Sequence, residues 1–121
     1  MNREQWQQFI SEMYGAIPEY LWTKYPSYAV FRHTGNRKWF ALLMDVPKEK
    51  LGLSGKEALD VLTIKCDPLL IGSLRKEAGF FPAYHMNKAS WISIGLDGAV
   101  SDEKIKRLLD LSYTLTGKAK K

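Results

Sequence analysis

Trp6, Phe9, Ile10 and Met13 recur at i, i+3, i+4 and i+7, the spacing that lines one face of an α-helix. Asn2 stands in the N-cap position with Gln5 three residues on, a capping-box pair, and Gly15 suits the left-handed position that ends such a helix. Two runs of β-formers follow, residues 28–33 and 38–45, separated by Thr34-Gly35-Asn36-Arg37; this pattern predicts a β-hairpin. The second run, Trp39-Phe40-Ala41-Leu42-Leu43-Met44, is apolar on both faces. It is expected to lie centrally in a sheet or to be covered on both sides.

Residues 46–55 carry Pro47, Gly52 and Gly55 and read as a loop, with room for a short strand near Leu51 and Leu53. Residues 59–66 alternate, with Leu62, Ile64 and Cys66 on one face and Val61, Thr63 and Lys65 on the other. Asp67 then caps a helix that starts with Pro68 at the favoured first position, shows Leu70, Ile71, Leu74 and Ala78 inward, and stops at Gly79. Residues 91–96 form a further strand, closed by Asp97-Gly98. A last helix opens at Ser101, with Asp102 and Glu103 complementing the positive end of its dipole. Ile105, Leu108, Leu109 and Leu115 face inward and Gly117 stops it. The order α-β-β-β-α-β-α with hairpin-linked strands predicts an α+β fold, helices packed on a mainly antiparallel sheet. Trp6, Phe9, Leu43, Ile64, Leu74, Ile92 and Leu109 are expected to share one core.

A chain of 121 residues, 45% apolar, is the size of one domain, here residues 1–117 with a basic tail at 118–121. No apolar run is long enough to span a membrane, and the start Met1-Asn2-Arg3-Glu4 has no apolar signal region, which argues for an intracellular (cytoplasmic) protein. A single cysteine excludes an internal disulfide and a cysteine-based zinc site. The net charge is +5, but Lys118, Lys120 and Lys121 supply three of those charges, so the body is only mildly basic. Within it, the span from Tyr20 to Met44 holds Lys24, Arg32, Arg37 and Lys38 and no acid; such a run is either a solvated face or a binding wing.

The densest chemistry lies in Pro82-Ala83-Tyr84-His85-Met86-Asn87-Lys88-Ala89-Ser90-Trp91. An aromatic ring, an imidazole, an amide, an ammonium and an indole share one connector that runs into an apolar strand, and connectors held on a rigid scaffold commonly carry function. Catalysis has little to build on. Cys66 ends an apolar strand, where a free cysteine behaves as a small buried hydrophobe. No carboxylate pair, phosphate loop or metal-spaced cluster stands out. No cofactor, metal site or enzymatic activity is therefore expected. Arg32, Arg37 and Lys38 on the hairpin, with Tyr84, His85, Asn87 and Lys88 on the connector, instead suit phosphate contact, stacking and base-edge hydrogen bonding. In the alternative reading, Tyr84 and Trp91 are core aromatics while His85 and Asn87 tie down the loop.

The Tyr84-His85-Met86-Asn87-Lys88 run, with Lys65-Cys66-Asp67-Pro68 and Ser112-Tyr113, closely resembles the YjbR/MmcQ family over nearly the whole chain. Where that family often has His before the Trp, this chain has Ser90. The resemblance implies a frataxin-like α/β fold and a bacterial protein of a family generally labelled DNA-binding. It does not bring iron handling with it: frataxins carry an acidic ridge on the first helix and strand, whereas here the first helix has only Glu4 and Glu12 and the next segment is basic. The expectation is a non-enzymatic DNA-binding module with a regulatory role, acting through the hairpin wing and the 84–88 loop. The alternative is a binding domain for an anionic small molecule or a protein partner.

Overall fold

Asn2 and Gln5 form the capping box: each side-chain oxygen accepts the other residue's backbone N–H at 2.8 Å. They start helix α1 (Arg3–Tyr14), which Gly15 ends at φ 67°. The computed structural model describes residues 1–117, so the basic tail lies outside the described residues. After α1 come β1 (Ala29–Arg32), β2 (Trp39–Pro47), a 3₁₀ turn (Lys48–Leu51), β3 (Ala58–Lys65), α2 (Pro68–Leu74), β4 (Phe80–Pro82), β5 (Trp91–Gly95) and α3 (Asp102–Gly117). The strands form one five-stranded sheet in the order β1-β2-β3-β5-β4, and every neighbouring pair is antiparallel. The architecture is α+β.

The helices cover one face. Trp6 and Ile10 of α1, Ile71 and Leu74 of α2, and Ile105, Leu108 and Leu109 of α3 bury against Phe31, Leu43, Leu62, Ile64, Ile92 and Ile94. The expected core is present, with Phe9 packed at its margin. The second face is apolar too: Val30, Leu42, Met44, Val46, Leu59, Val61 and Trp91 lie on it, which explains why β2 reads as apolar on both sides. Three connectors, the 16–28 segment, the 3₁₀ turn and the 83–90 loop, cover this face in place of helices.

One irregularity sets which residues reach each face. Phe31 pairs with Ala41 but Arg32 pairs with Trp39, so Phe40 is an extra residue in β2. Such a bulge reverses the alternation beyond it. Phe40 and Ala41 both join the helix side, and Trp39 falls on the second face with Leu42 and Met44. The β2–β3 pairing ends beside the bulge, at Ala41 and Ile64, and Ser112 of α3 bridges the two strands one step further on. Its fully buried hydroxyl accepts the Lys65 N–H at 2.9 Å and donates to the Phe40 carbonyl at 2.7 Å.

Several expectations need correction. Helix α2 stops at Leu74, not Gly79; Ile71 and Leu74 are buried, while Leu70 and Ala78 are exposed. The Arg75 N–H still reaches back to the Ile71 and Ser73 carbonyls, after which the chain turns through Gly79, at φ 92°, into β4. That strand is not legible in the sequence because it is three residues long and ends in proline, which only an edge strand tolerates. Leu51 belongs to the 3₁₀ turn and not to a strand. Met13 and Leu115 sit at the outer margins of their helices and are 59% and 50% exposed.

Replacing Ser112 by Ala strands a half-buried N–H and a buried carbonyl together. Urea denaturation is expected to show a loss of about 2–4 kcal/mol, at the upper end for one hydroxyl because two backbone groups lose their partner.

Candidate functional site

The 16–28 segment is held to the sheet by Glu19, whose backbone exchanges two hydrogen bonds with Val30, at 2.9 and 2.8 Å. From there the chain lays Trp22 across the second face, edge-on to Tyr28 at 5.9 Å and to Trp39 at 5.8 Å. Tyr25 stacks on Tyr28, with centroids 4.7 Å apart and planes 11° from parallel. His85, from the opposite connector, stands 5.5 Å from Tyr25 and 4.0 Å from Tyr84. Trp22, Tyr25, Tyr28 and His85, with Leu42, Met44 and Met86, line a cavity of about 220 Å³. Burial, then the nearby Tyr84, Asp45 and Tyr25, pushes the Tyr28 phenol up to about 12, so it stays neutral at any physiological pH. Ser27 Oγ donates to Asp45 beside it.

The 84–88 loop is fixed from beneath. Thr63 and Ser93 share a hydroxyl–hydroxyl bond of 2.7 Å inside the sheet, and Ser93 Oγ also accepts the Tyr84 N–H at 3.3 Å. Asn87 shapes the turn: its Oδ1 accepts the Ala89 N–H at 2.8 Å, and its carbonyl accepts the N–H groups of Ser90 and Trp91. His85 adopts φ 64°, a left-handed conformation uncommon outside glycine that leaves its ring exposed at the cavity mouth. Lys88 is exposed at the loop's far end. Trp91 is buried, with the Lys65 ammonium 5.5 Å from its ring, and belongs to the core.

The hairpin loop has a different character from a free wing. Asn36 donates to the Thr116 carbonyl at 2.9 Å and accepts the Lys38 N–H at 2.8 Å. His33 is buried, stacks on Tyr113 at 3.9 Å, and places Nε2 2.8 Å from the Tyr113 carbonyl and 2.9 Å from Thr116 Oγ1. A Cβ on Gly117 would lie 2.5 Å from the imidazole, so the helix can approach this ring only as glycine. Arg32 and Arg37 both meet Glu19, each at 3.2 Å, and Arg32 also lies 5.9 Å from the Trp39 ring. Lys38 is exposed. Arg32 therefore adjoins the aromatic face through Trp39 and Trp22, while Arg37 and Lys38 stand at the sheet's end.

Trp22, Tyr25, Tyr28 and Met86 were not singled out by the sequence reading. The available signal was aromatic density: Tyr20, Trp22 and Tyr25 fall in a stretch assigned to no element, just before Tyr28 at the start of the first strand run. Among the described residues, no three His, Cys, Asp or Glu side chains converge as a metal site, and no helix is long and apolar enough to cross a membrane.

The fold is that of a known family. The chain belongs to the YjbR family, whose model matches residues 11–115. It is 43% identical to the Bacillus subtilis protein YyaQ, named as uncharacterised, over 96% of this chain and 98% of that one. Escherichia coli YjbR, also named as uncharacterised, is 38% identical over 53 residues, 43% of this chain and 45% of that protein. Among solved structures, a Pseudomonas syringae protein superposes with a TM-score of 0.93 at 47% identity, covering 96% of this chain and 99% of that one. A Deinococcus radiodurans protein shares the fold, with a TM-score of 0.72 at 24% identity, covering 96% of this chain and 78% of that one.

Burial lowers the pKa of His33 against the opposing pull of the Tyr113 carbonyl. The folded state then refuses a proton that the unfolded chain accepts near pH 6.5, so stability is unaffected above about pH 6.5 and falls as the pH drops below it. Denaturation midpoints between pH 7.5 and 5 are expected to show this slope, and His33→Gln to flatten it.

Proposed function

We propose that the second sheet face binds nucleic acid as an unpaired strand, taking a base into the aromatic cavity. The single observation behind this reading is the cavity itself: Tyr25, Tyr28 and His85 converge from two connectors around a space of about 220 Å³, apolar at its floor. Stacking on such rings is the usual way a protein holds an exposed base. A duplex hides its bases from a concave pocket, and the two arginines suited to its phosphates are already engaged by Glu19. The face is read as binding and not as catalytic. Cys66 is buried against the helix side, where burial raises its thiol pKa. A second reading, favoured by the cavity's concavity, is a free small molecule with a planar ring.

A short oligothymidylate is expected to bind more tightly than a duplex of equal length, with a salt slope of about −0.7 per phosphate contact. Tyr25→Ala should remove about 1–3 kcal/mol of that binding, the contribution of one stacked base, with thermal stability nearly unchanged. Preference for duplex, or indifference to the Tyr25 change, would refute the base-in-cavity reading. A mononucleoside that binds as tightly as the oligomer would favour the small-ligand reading.

Glu19→Gln frees Arg32 and Arg37 for phosphates. Strand binding should then tighten and its salt slope steepen, by up to one counterion for each arginine released. An unchanged slope in the same titration would exclude these arginines from the interface.

A further inference from the structure

We propose that the hollow between the 3₁₀ turn and the end of β4 is a phosphate subsite formed by Lys50 and Lys88. Lys50, Leu51, Gly52, Pro82, Ala83, Tyr84 and Lys88 line it, and its volume is about 450 Å³. Its lining holds two cations and no carboxylate. Elsewhere on the surface acids are used: Lys48 pairs with Glu57 at 3.5 Å and Lys104 with Glu77 at 2.7 Å. Lys50 and Lys88 have no such partner among the described residues, like Lys24, Lys38, Lys56 and Lys76; what sets these two apart is that they line one hollow together. Two like charges facing one acid-free space recruit an anion. The buried, apolar Leu51 and Ala83 lower the local dielectric and strengthen that attraction.

The hollow is also placed to serve the aromatic cavity. Tyr84 is a wall of the hollow and of a neighbouring depression that contains Lys24 and Asp45. That depression in turn shares Tyr25 and Tyr28 with the aromatic cavity. Three depressions thus run along one face, from a stacking end to a cationic end. Two ammonium groups on flexible stems suit a tetrahedral, multiply charged phosphate, whereas a planar carboxylate is better matched by the fork of an arginine. The space is larger than a phosphate alone and admits part of an attached sugar. The ligand class is therefore a planar ring joined to phosphate, either a free nucleotide or a unit of a strand. This deepens the base-binding reading and rests on it for the ring end only.

The test is calorimetric titration of the full chain with adenosine, adenosine monophosphate, inorganic pyrophosphate and an oligothymidylate without a terminal phosphate. The proteins are the wild type, the double variant Lys50→Ala/Lys88→Ala, and Lys56→Ala as an exposed lysine outside the hollow. The double variant should bind the monophosphate and pyrophosphate about tenfold more weakly, two exposed charge contacts at the upper end of their usual contribution, and adenosine unchanged. Lys56→Ala should leave all four probes unchanged. Equal weakening of the oligomer supports the subsite and identifies strand phosphates as occupants; an unaffected oligomer supports it and assigns it to terminal phosphates. The subsite is overturned if pyrophosphate does not bind the wild type, if the double variant binds phosphorylated probes normally, or if Lys56→Ala weakens them equally. Lysine-dependent pyrophosphate binding without adenosine binding would keep the subsite and discard the base-binding reading. Adenosine binding without pyrophosphate binding would do the reverse.

Discussion

The Ser112 hydroxyl stands between two strands just past the end of their own ladder. Pairing runs only as far as Ala41 and Ile64, and just beyond it lie the Phe40 carbonyl, which is buried and needs a partner, and the half-buried Lys65 N–H. By donating to one and accepting from the other, a single side chain of α3 joins β2 to β3 beside the bulge. The bulge in turn decides that Trp39 lies on the second face. Trp39 gives Trp22 its edge-on neighbour, and Trp22 forms one wall of the aromatic cavity. A packing decision on the helix side thus sets the chemistry available on the opposite side.

Charge follows a similar logic. The hairpin carries its arginines in a run that reads as open to phosphate, yet Glu19, from a connector eleven residues before Val30, bridges that strand through its backbone and pairs with both guanidinium groups through its carboxylate, offsetting one of their two charges. His33, Asn36 and Gly117 hold the loop against the last turn of α3. Two of the lysines without an acid partner among the described residues, Lys50 and Lys88, lie beside the aromatic connectors. Rings and free cations therefore coincide on one face, although neither group is contiguous in the chain.

The parts of the fold legible in the sequence are those governed by local rules. The capping box at Asn2 and Gln5, the glycine stop at Gly15, the Asp67-Pro68 start of α2, the hairpin, and the alternation along β3 all depend on neighbours within a few residues. What escaped depends on distant partners. Phe80 to Pro82 becomes a strand only because β5 offers an edge. Ser112 and Tyr113 look like ordinary helix positions until β2 and His33 arrive beside them. The 84–88 loop is legible as unusual because its composition is unusual. Its stacking partners are not, since Trp22, Tyr25 and Tyr28 approach it only after the 16–28 segment crosses the sheet. The role of Asn87 as a turn-former is compatible with its residue type, but only the Ala89 N–H distinguishes it from a free amide.

The sheet's two margins carry a further consequence. An open edge strand offers unpaired backbone groups to any other extended chain and invites aggregation. Here the β1 side is partly masked by the Glu19–Val30 bridge, and the β4 side ends after three residues in a proline that has no N–H to donate. Neither margin presents a long, flat template. Copies of this domain at high concentration are thereby protected from polymerising strand upon strand, and a sheet made largely of Val, Ile, Leu and aromatic residues can keep two apolar faces without becoming the seed of a fibre.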